Sequence, residues 1–208
     1  MRRAHALGIA AAALGSVVLA ACGSSGTQHA TGSTTPSAAS TTNSANPNAA
    51  ELNAAGDIPD NQAFVTYSPH AGSYSLSVPE GWARTNSLAA TTFSEHFNSI
   101  HIKTTKSETA PTVATATATE VPTLRRSVGG FALGNVTSVN RTAGPAILVT
   151  YRANSAPDAI TGKRLSLDVE RYEFWHNGTQ VTLTLSAPHG ADNVDPWKRV
   201  TESFAWSA

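Results

Sequence analysis

One cysteine among 208 residues excludes an internal disulfide framework and any multi-cysteine zinc site. Charge is scarce and balanced, with 14 basic and 14 acidic residues making up 13% of the chain. No field of one sign is therefore available to recruit nucleic acid. Several catalytic signatures are missing as well. There is no Gly-x-Ser-x-Gly elbow for a serine hydrolase and no His-Glu-x-x-His for a zinc protease. The run from Pro157 to Lys163 ends in Gly-Lys, but Pro stands where a phosphate loop has its first Gly, and Arg164 where it has Ser or Thr.

The one long apolar run lies at the N-terminus. Arg2 and Arg3 precede Ala6 to Ala21, giving the positive and apolar regions of a secretory signal peptide. The run is too short to cross a bilayer comfortably, which takes about 20 apolar residues. It ends in Leu19-Ala20-Ala21-Cys22, followed by Gly23 and two serines. This resembles the lipobox of bacterial lipoproteins. The resemblance implies that residues 1–21 are removed and that the thiol of Cys22 is diacylated, which makes the membrane the first expected partner. Each buried CH₂ contributes about 0.8 kcal/mol, so two acyl chains hold a protein stably. Plain secretion with cleavage nearby is the alternative, but the only Cys sits at the position lipidation needs. Loss of Arg2 and Arg3 leaves 12 basic residues against 14 acidic ones, a mature charge of −2. Anionic headgroups then add little, and the lipid must do the holding.

Residues 22–57 read as a disordered tether. From Gly23 to Asn53 the chain is almost wholly Ser, Thr, Ala, Gly, Asn and Pro, with Leu52 the only large apolar side chain. Such a segment cannot offset its ordering entropy, and thirty-odd flexible residues reach about 30 Å on average.

Residues 58–208 form the expected folded domain, long enough to bury roughly 68–70% of the unfolded surface. Strand signals dominate it. Tyr74, Leu76 and Val78 alternate with serines, and Pro79-Glu80-Gly81 supplies a turn before Trp82. Residues 91–97 and 100–104 suggest a hairpin across Asn98-Ser99, which sets His96 opposite His101. The run 113–119 is ambiguous between strand and helix, and Glu120 to Val128 reads as a short helix ended by Gly129-Gly130. Val136 and Val139 mark another strand, and Ala146 to Tyr151, apolar on both sides, an interior one. Asn177-Gly178 is the strongest hairpin signal. It pairs Phe174 with Val181 and Tyr172 with Leu183 on an apolar face, and sets Arg171, Glu173, Thr182 and Thr184 on a wet one. Upstream, Leu165, Leu167 and Val169 have the opposite parity, which predicts a bulge near Glu170. Asp195-Pro196 is expected to cap a last helix with Trp197, Val200 and Phe204 as its buried stripe. The sum is an α+β fold, an antiparallel β-sheet with helices packed on it.

The stretch Tyr74-Ser-Leu-Ser-Val-Pro-Glu-Gly-Trp82 resembles the opening strand of PsbP-like domains. Arg171-Tyr172, the Asn177-Gly178 hairpin, the Val181–Leu185 strand and the closing Ser203-Phe204-Ala205-Trp206 follow in the order found there. With the lipobox, the chain resembles lipoproteins of the LpqN/LpqT family. That resemblance implies an α/β/α sandwich on the extracytoplasmic face of the cell membrane, in an envelope role without established catalysis. It supplies no catalytic residue and no cofactor, and only Cys22 transfers as a functional position.

The residues themselves offer a few other chemistries. His96 and His101, as cross-strand neighbours, would stand close enough to share a metal, but two ligands make a weak site and exposed, unpaired histidines are the expected state. Asp192, Asn193 and Asp195 gather oxygen ligands in one loop, yet calcium wants six to eight, and capping explains the cluster. The wet sheet face offers a docking place for an envelope protein, lipid or glycan, or else lies under a helix. The leading expectation is a non-catalytic binding or scaffolding module. The alternative is a hydrolase-like envelope enzyme, which requires a deep pocket joining two of His96, His101, His176, Asp192 and Asp195.

Overall fold

The computed structural model describes residues 56–70 and 73–207. The expected signal peptide, Cys22 and all of the tether before Gly56 lie outside them. The strands in chain order are β1 (Phe64–Tyr67), β2 (Tyr74–Pro79), β3 (Ala83–Asn86), β4 (Ala90–Glu95), β5 (Asn98–Lys106), β6 (Ala132–Arg141), β7 (Gly144–Asn154), β8 (Ser166–His176), β9 (Thr179–Pro188) and β10 (Ala205–Trp206). Between β5 and β6, α1 (Val113–Thr115) continues through a π-helical turn (Ala116–Glu120) into α2 (Val121–Ser127), and α3 (Val194–Glu202) precedes β10.

Seven strands form one antiparallel sheet in the order β3-β4-β5-β9-β8-β7-β6, and β1-β2-β10 form a small second sheet. The long sheet is joined at its middle by β5 and β9, whose paired residues are separated by 73 to 87 positions in the chain. One face of the long sheet packs on the small sheet and α3. There Tyr74, Leu76, Ile100, Phe174, Leu183, Leu185, Trp197 and Phe204 belong to a buried cluster of 19 residues. The other face packs on the helical segment between β5 and β6, where Ala116, Val121 and Leu124 meet Ile147, Val149, Tyr151 and Val169 in a cluster of 8.

The two-sided burial explains why β8 changes parity. Tyr172 and Phe174 face the larger cluster, whereas Leu167 and Val169 face the smaller one. The expected bulge near Glu170 is absent, and the β8 register runs unbroken from Leu167 to His176. A bulge occurs instead in β6, between Leu133 and Asn135, where the N–H of Asn135 donates to Thr150 Oγ1 at 2.9 Å. The Asn177-Gly178 hairpin has the expected register, with Phe174 opposite Val181 and Tyr172 opposite Leu183. Both turn residues have positive φ, 46° and 75°, as a type I′ turn requires.

The other hairpin differs from expectation. Its turn is His96-Phe97, not Asn98-Ser99, and Phe93 pairs with Ile100. Asn98 is the cause. It is buried at 2% exposure, where its Oδ1 accepts from Asn193 Nδ2 at 3.2 Å, a partnership that a turn position would forfeit. His96 takes the left-handed conformation in consequence, with φ 49°.

The ambiguous run 113–119 is helical because its threonines satisfy the backbone locally. Thr112 and Thr115 form a reciprocal cap. The hydroxyls of Thr117, Thr119 and Thr123 each donate to the carbonyl four residues back, at 2.7–2.8 Å. Such back-bonding distorts a helix, and the π-helical turn lies among these residues. At the far end, Asn193 rather than Asp195 is the residue at the start of α3, and Phe204 lies beyond its last turn.

Candidate functional site

The residues that matter stand on the helix-facing side of the long sheet. Cross-strand pairing sets them in rows. Thr92, His101, Thr184 and Arg171 make one row across β4, β5, β9 and β8, and Ser94, Ser99, Ser186 and Val169 the next. The helical segment covers the β7 and β8 end of these rows, leaving hydroxyls half-buried at the β4 and β5 end.

A cleft of about 570 Å³ opens beside the serine row. Ser99 and Ser186 share a hydrogen bond of 2.8 Å on its floor, and Phe97, Leu165 and Leu167 give it apolar walls. The loop between β7 and β8 closes one side. Asp158 stiffens that loop by accepting from the N–H groups of Ile160 and Thr161 and from the Thr161 hydroxyl. The backbone and hydroxyl bonds from Thr161 lead in holding its carboxyl below the ordinary value. Phe97 is 48% exposed, so a large apolar ring stands at the rim, a common feature of binding surfaces.

Under the helix the sheet carries a partly buried ionic cluster. Arg171 pairs with Glu120 at 2.7 Å, lies 3.5 Å from Glu173, and donates to Thr184 at 3.3 Å. The expected wet face is therefore covered here, and Glu173 and Thr182 are buried at 4% and 3% exposure. Burial raises the Glu173 carboxyl above its ordinary value, against the pull of Arg171. Burial also lowers His101, helped by the charges of Arg171 and Lys103.

The five residues expected to mark an active site are dispersed. His96 sits on the exposed turn, paired with its neighbour Glu95. His101 is in β5, bonded through Nδ1 to Thr92 Oγ1 at 2.9 Å, so the two histidines are not cross-strand neighbours. His176 ends β8 with its ring tilted over Trp206. Asp192 is held through its N–H by Asp57, and Asp195 lines a separate small hollow beside Arg199. Only His96 of the five borders the cleft. Asn193 is consumed structurally, accepting from the N–H of Ile58 at 2.7 Å and donating to Gly56 and Asn98. No group of three His, Cys, Asp or Glu stands close enough to hold a metal among the described residues.

Sequence reasoning missed one ionic group entirely. His189 donates from Nδ1 to Asp168 Oδ2 at 2.8 Å, and Arg152 lies 3.5 Å from the same carboxylate. Partial burial raises the Asp168 carboxyl, but bonds from His189 and the Gly190 N–H, with the charges of His189 and Arg152, outweigh it and hold the group low. Arg152 and Asp168 are cross-strand partners, a relation visible only once the β7–β8 register is known. Asp168 and Arg152 border a groove of about 470 Å³ floored by Trp197.

No protein-family model matches the chain, and no curated protein matches it by sequence. Solved structures do. The solution structure of cyanobacterial PsbP (CyanoP) from Synechocystis sp. PCC 6803 has a TM-score of 0.51 at 16% identity, covering 75% of this chain and 99% of that one. The Ran-binding protein Mog1p of Saccharomyces cerevisiae gives 0.45 at 10% identity, over 69% of this chain and 95% of its own. LpqN of Mycobacterium tuberculosis, involved in cell envelope biogenesis, gives 0.38 at 13% identity, over 72% of this chain and 87% of its own. The likeness to CyanoP shows the fold, which is PsbP-like.

Proposed function

We propose that this PsbP-like domain is the binding module of a lipid-anchored envelope protein held on the extracytoplasmic face of the cell membrane. The observation that carries the reading is Leu19-Ala20-Ala21-Cys22 after a signal-like apolar run, with Cys22 the only cysteine in the chain. Acylated Cys22 and the tether place the domain a few nanometres from the bilayer. The domain then meets an envelope protein, lipid or glycan through the cleft of Phe97, Leu165 and the serine row. Dispersal of His96, His101, His176, Asp192 and Asp195 supports a non-catalytic role. Chemistry by general acid and base requires such groups within hydrogen-bond reach of one reacting centre.

Fractionation of cells expressing the full chain tests the anchor. The wild type is expected in the membrane pellet, and Cys22→Ala in the medium. Equal membrane retention of the two overturns lipid anchoring.

A further inference from the structure

A second cavity lies against the ionic cluster, and its charge is not closed. Arg171 is one cation between two carboxylates, Glu120 and Glu173. It bonds Glu120 directly, and at 3.5 Å it is too far from Glu173 for a proper hydrogen bond. Glu173 Oε1 and Arg171 Nε face each other at that distance, each without a hydrogen bond, although the Glu173 side chain is only 4% exposed. No other cation settles the account. On β5, His101 is pushed down by burial toward its neutral form, and Lys103 is an exposed residue two strands from Glu173, with Thr182 between them. On β7, Tyr151 is pushed up by burial and stays neutral. On β6, Ser138 offers only a hydroxyl. A buried carboxylate that must share its one cation with a second carboxylate is undercompensated, which favours uptake of either a proton or a further cation.

The cavity beside Glu173 measures about 320 Å³. Pro111, Pro145, Ile147 and Trp175 supply apolar walls, and Ser138 and Glu173 the polar groups. That lining fits poorly with a metal ion, which seeks six or more oxygens or a cluster of nitrogen and sulfur ligands. It fits a cation that carries its own apolar body. An ammonium head would meet the Glu173 carboxylate, Ser138 would accept a second N–H, and Trp175 offers an indole for cation–π attraction. The Trp175 Nε1–H is already committed to the carbonyl of Ser107 at 2.8 Å, which fixes the ring.

We propose that the cavity between Pro111, Ile147, Trp175 and Glu173 is a binding site for a small alkylammonium ion. The site is separate from the cleft and does not depend on lipid anchoring. Binding favours the ionised form of Glu173, so any proton the carboxyl holds leaves to the buffer as the ion binds, and affinity rises with pH until Glu173 is fully ionised.

Calorimetric titration of the purified full chain with n-butylammonium chloride tests the proposal, with n-butanol and sodium chloride as matched probes. Saturable binding of butylammonium, tighter at pH 8 than at pH 4, is expected, with no comparable response to butanol or sodium. Glu173→Gln is expected to weaken binding at least tenfold while the far-ultraviolet dichroism is retained. Equal binding of butanol overturns the proposal, because the cavity then selects only for apolar bulk. So does an absence of saturable binding to the wild type, since the carboxyl is then balanced by its proton alone. Undiminished binding to a folded Glu173→Gln variant does the same. Should that variant fail to fold, the pH dependence and proton release of the wild type decide the matter: affinity flat with pH overturns the proposal.

Discussion

The two faces of the long sheet are built on different principles. One is largely aromatic. Phe204 stacks on Phe174 with ring centroids 4.3 Å apart and on Tyr74 at 5.4 Å, within a cluster of 19 buried residues. The other joins only 8 buried residues and has an ionic cluster beneath its helix. The difference teaches where stability and adaptability reside. The face closed by large rings keeps its grooves to its margins, as in the one floored by Trp197. A face half covered by a threonine-rich helix keeps polar groups, a cavity and an uncovered row of hydroxyls.

The contrast can be broken by mutation, most severely on the aromatic side. Phe204→Ala is expected to remove about 4 kcal/mol of unfolding free energy, the usual cost of deleting a fully buried ring. Denaturant titration reads it, and a loss below about 1 kcal/mol would show that the stack is not the centre of the fold. Leu124→Ala, on the helix side, is expected to cost about 2–3 kcal/mol. Its hydrogen exchange should differ in kind, with amides of α2 opening sooner than those of β8 and β9. Uniform acceleration across the sheet would mean the two faces melt as one.

The smallest effect concerns pH. Burial raises the folded Glu173 carboxyl above its ordinary 4.5, so the folded chain holds that proton more firmly than the unfolded chain does. The contribution to stability is fully present below about 4.5 and is lost as the pH climbs through the folded value. Glu173→Gln should therefore gain stability relative to the wild type as the pH rises above that point. Parallel profiles for the two proteins would contradict the buried, undercompensated state of the carboxyl. Asp168 provides the opposite sign, since its carboxyl is held low and its contribution disappears as the pH falls.

Legibility in the sequence followed the range of the interaction. Asn177-Gly178 carries its turn in its own conformational preferences, so the β8–β9 register from Tyr172 to Leu183 was readable from two residues, while the stretch before Glu170 was not. His96-Phe97 has no such preference. That turn is selected by Asn98 reaching Asn193, 95 positions away. The parity change in β8 was visible, but a bulge and a second core produce the same alternation, and only the helix opposite Val169 separates them. The run 113–119 was undecidable because threonine favours strands by its branching and helices here by back-bonding. The sites were the least legible. Glu120 meets Arg171 across two layers, and Arg152 and His189 meet at Asp168 only after three strands are aligned.

The pairing of β5 with β9 joins chain segments 73 to 87 positions apart, and β10 then closes on β2 with Trp206 opposite Tyr74. Long-range pairings of this kind form slowly. A chain emerging from its N-terminal end thus has no complete sheet to fold until β9 has emerged, and its small sheet stays unfinished until the last strand arrives. Slow closure of both sheets is therefore a property of the topology itself.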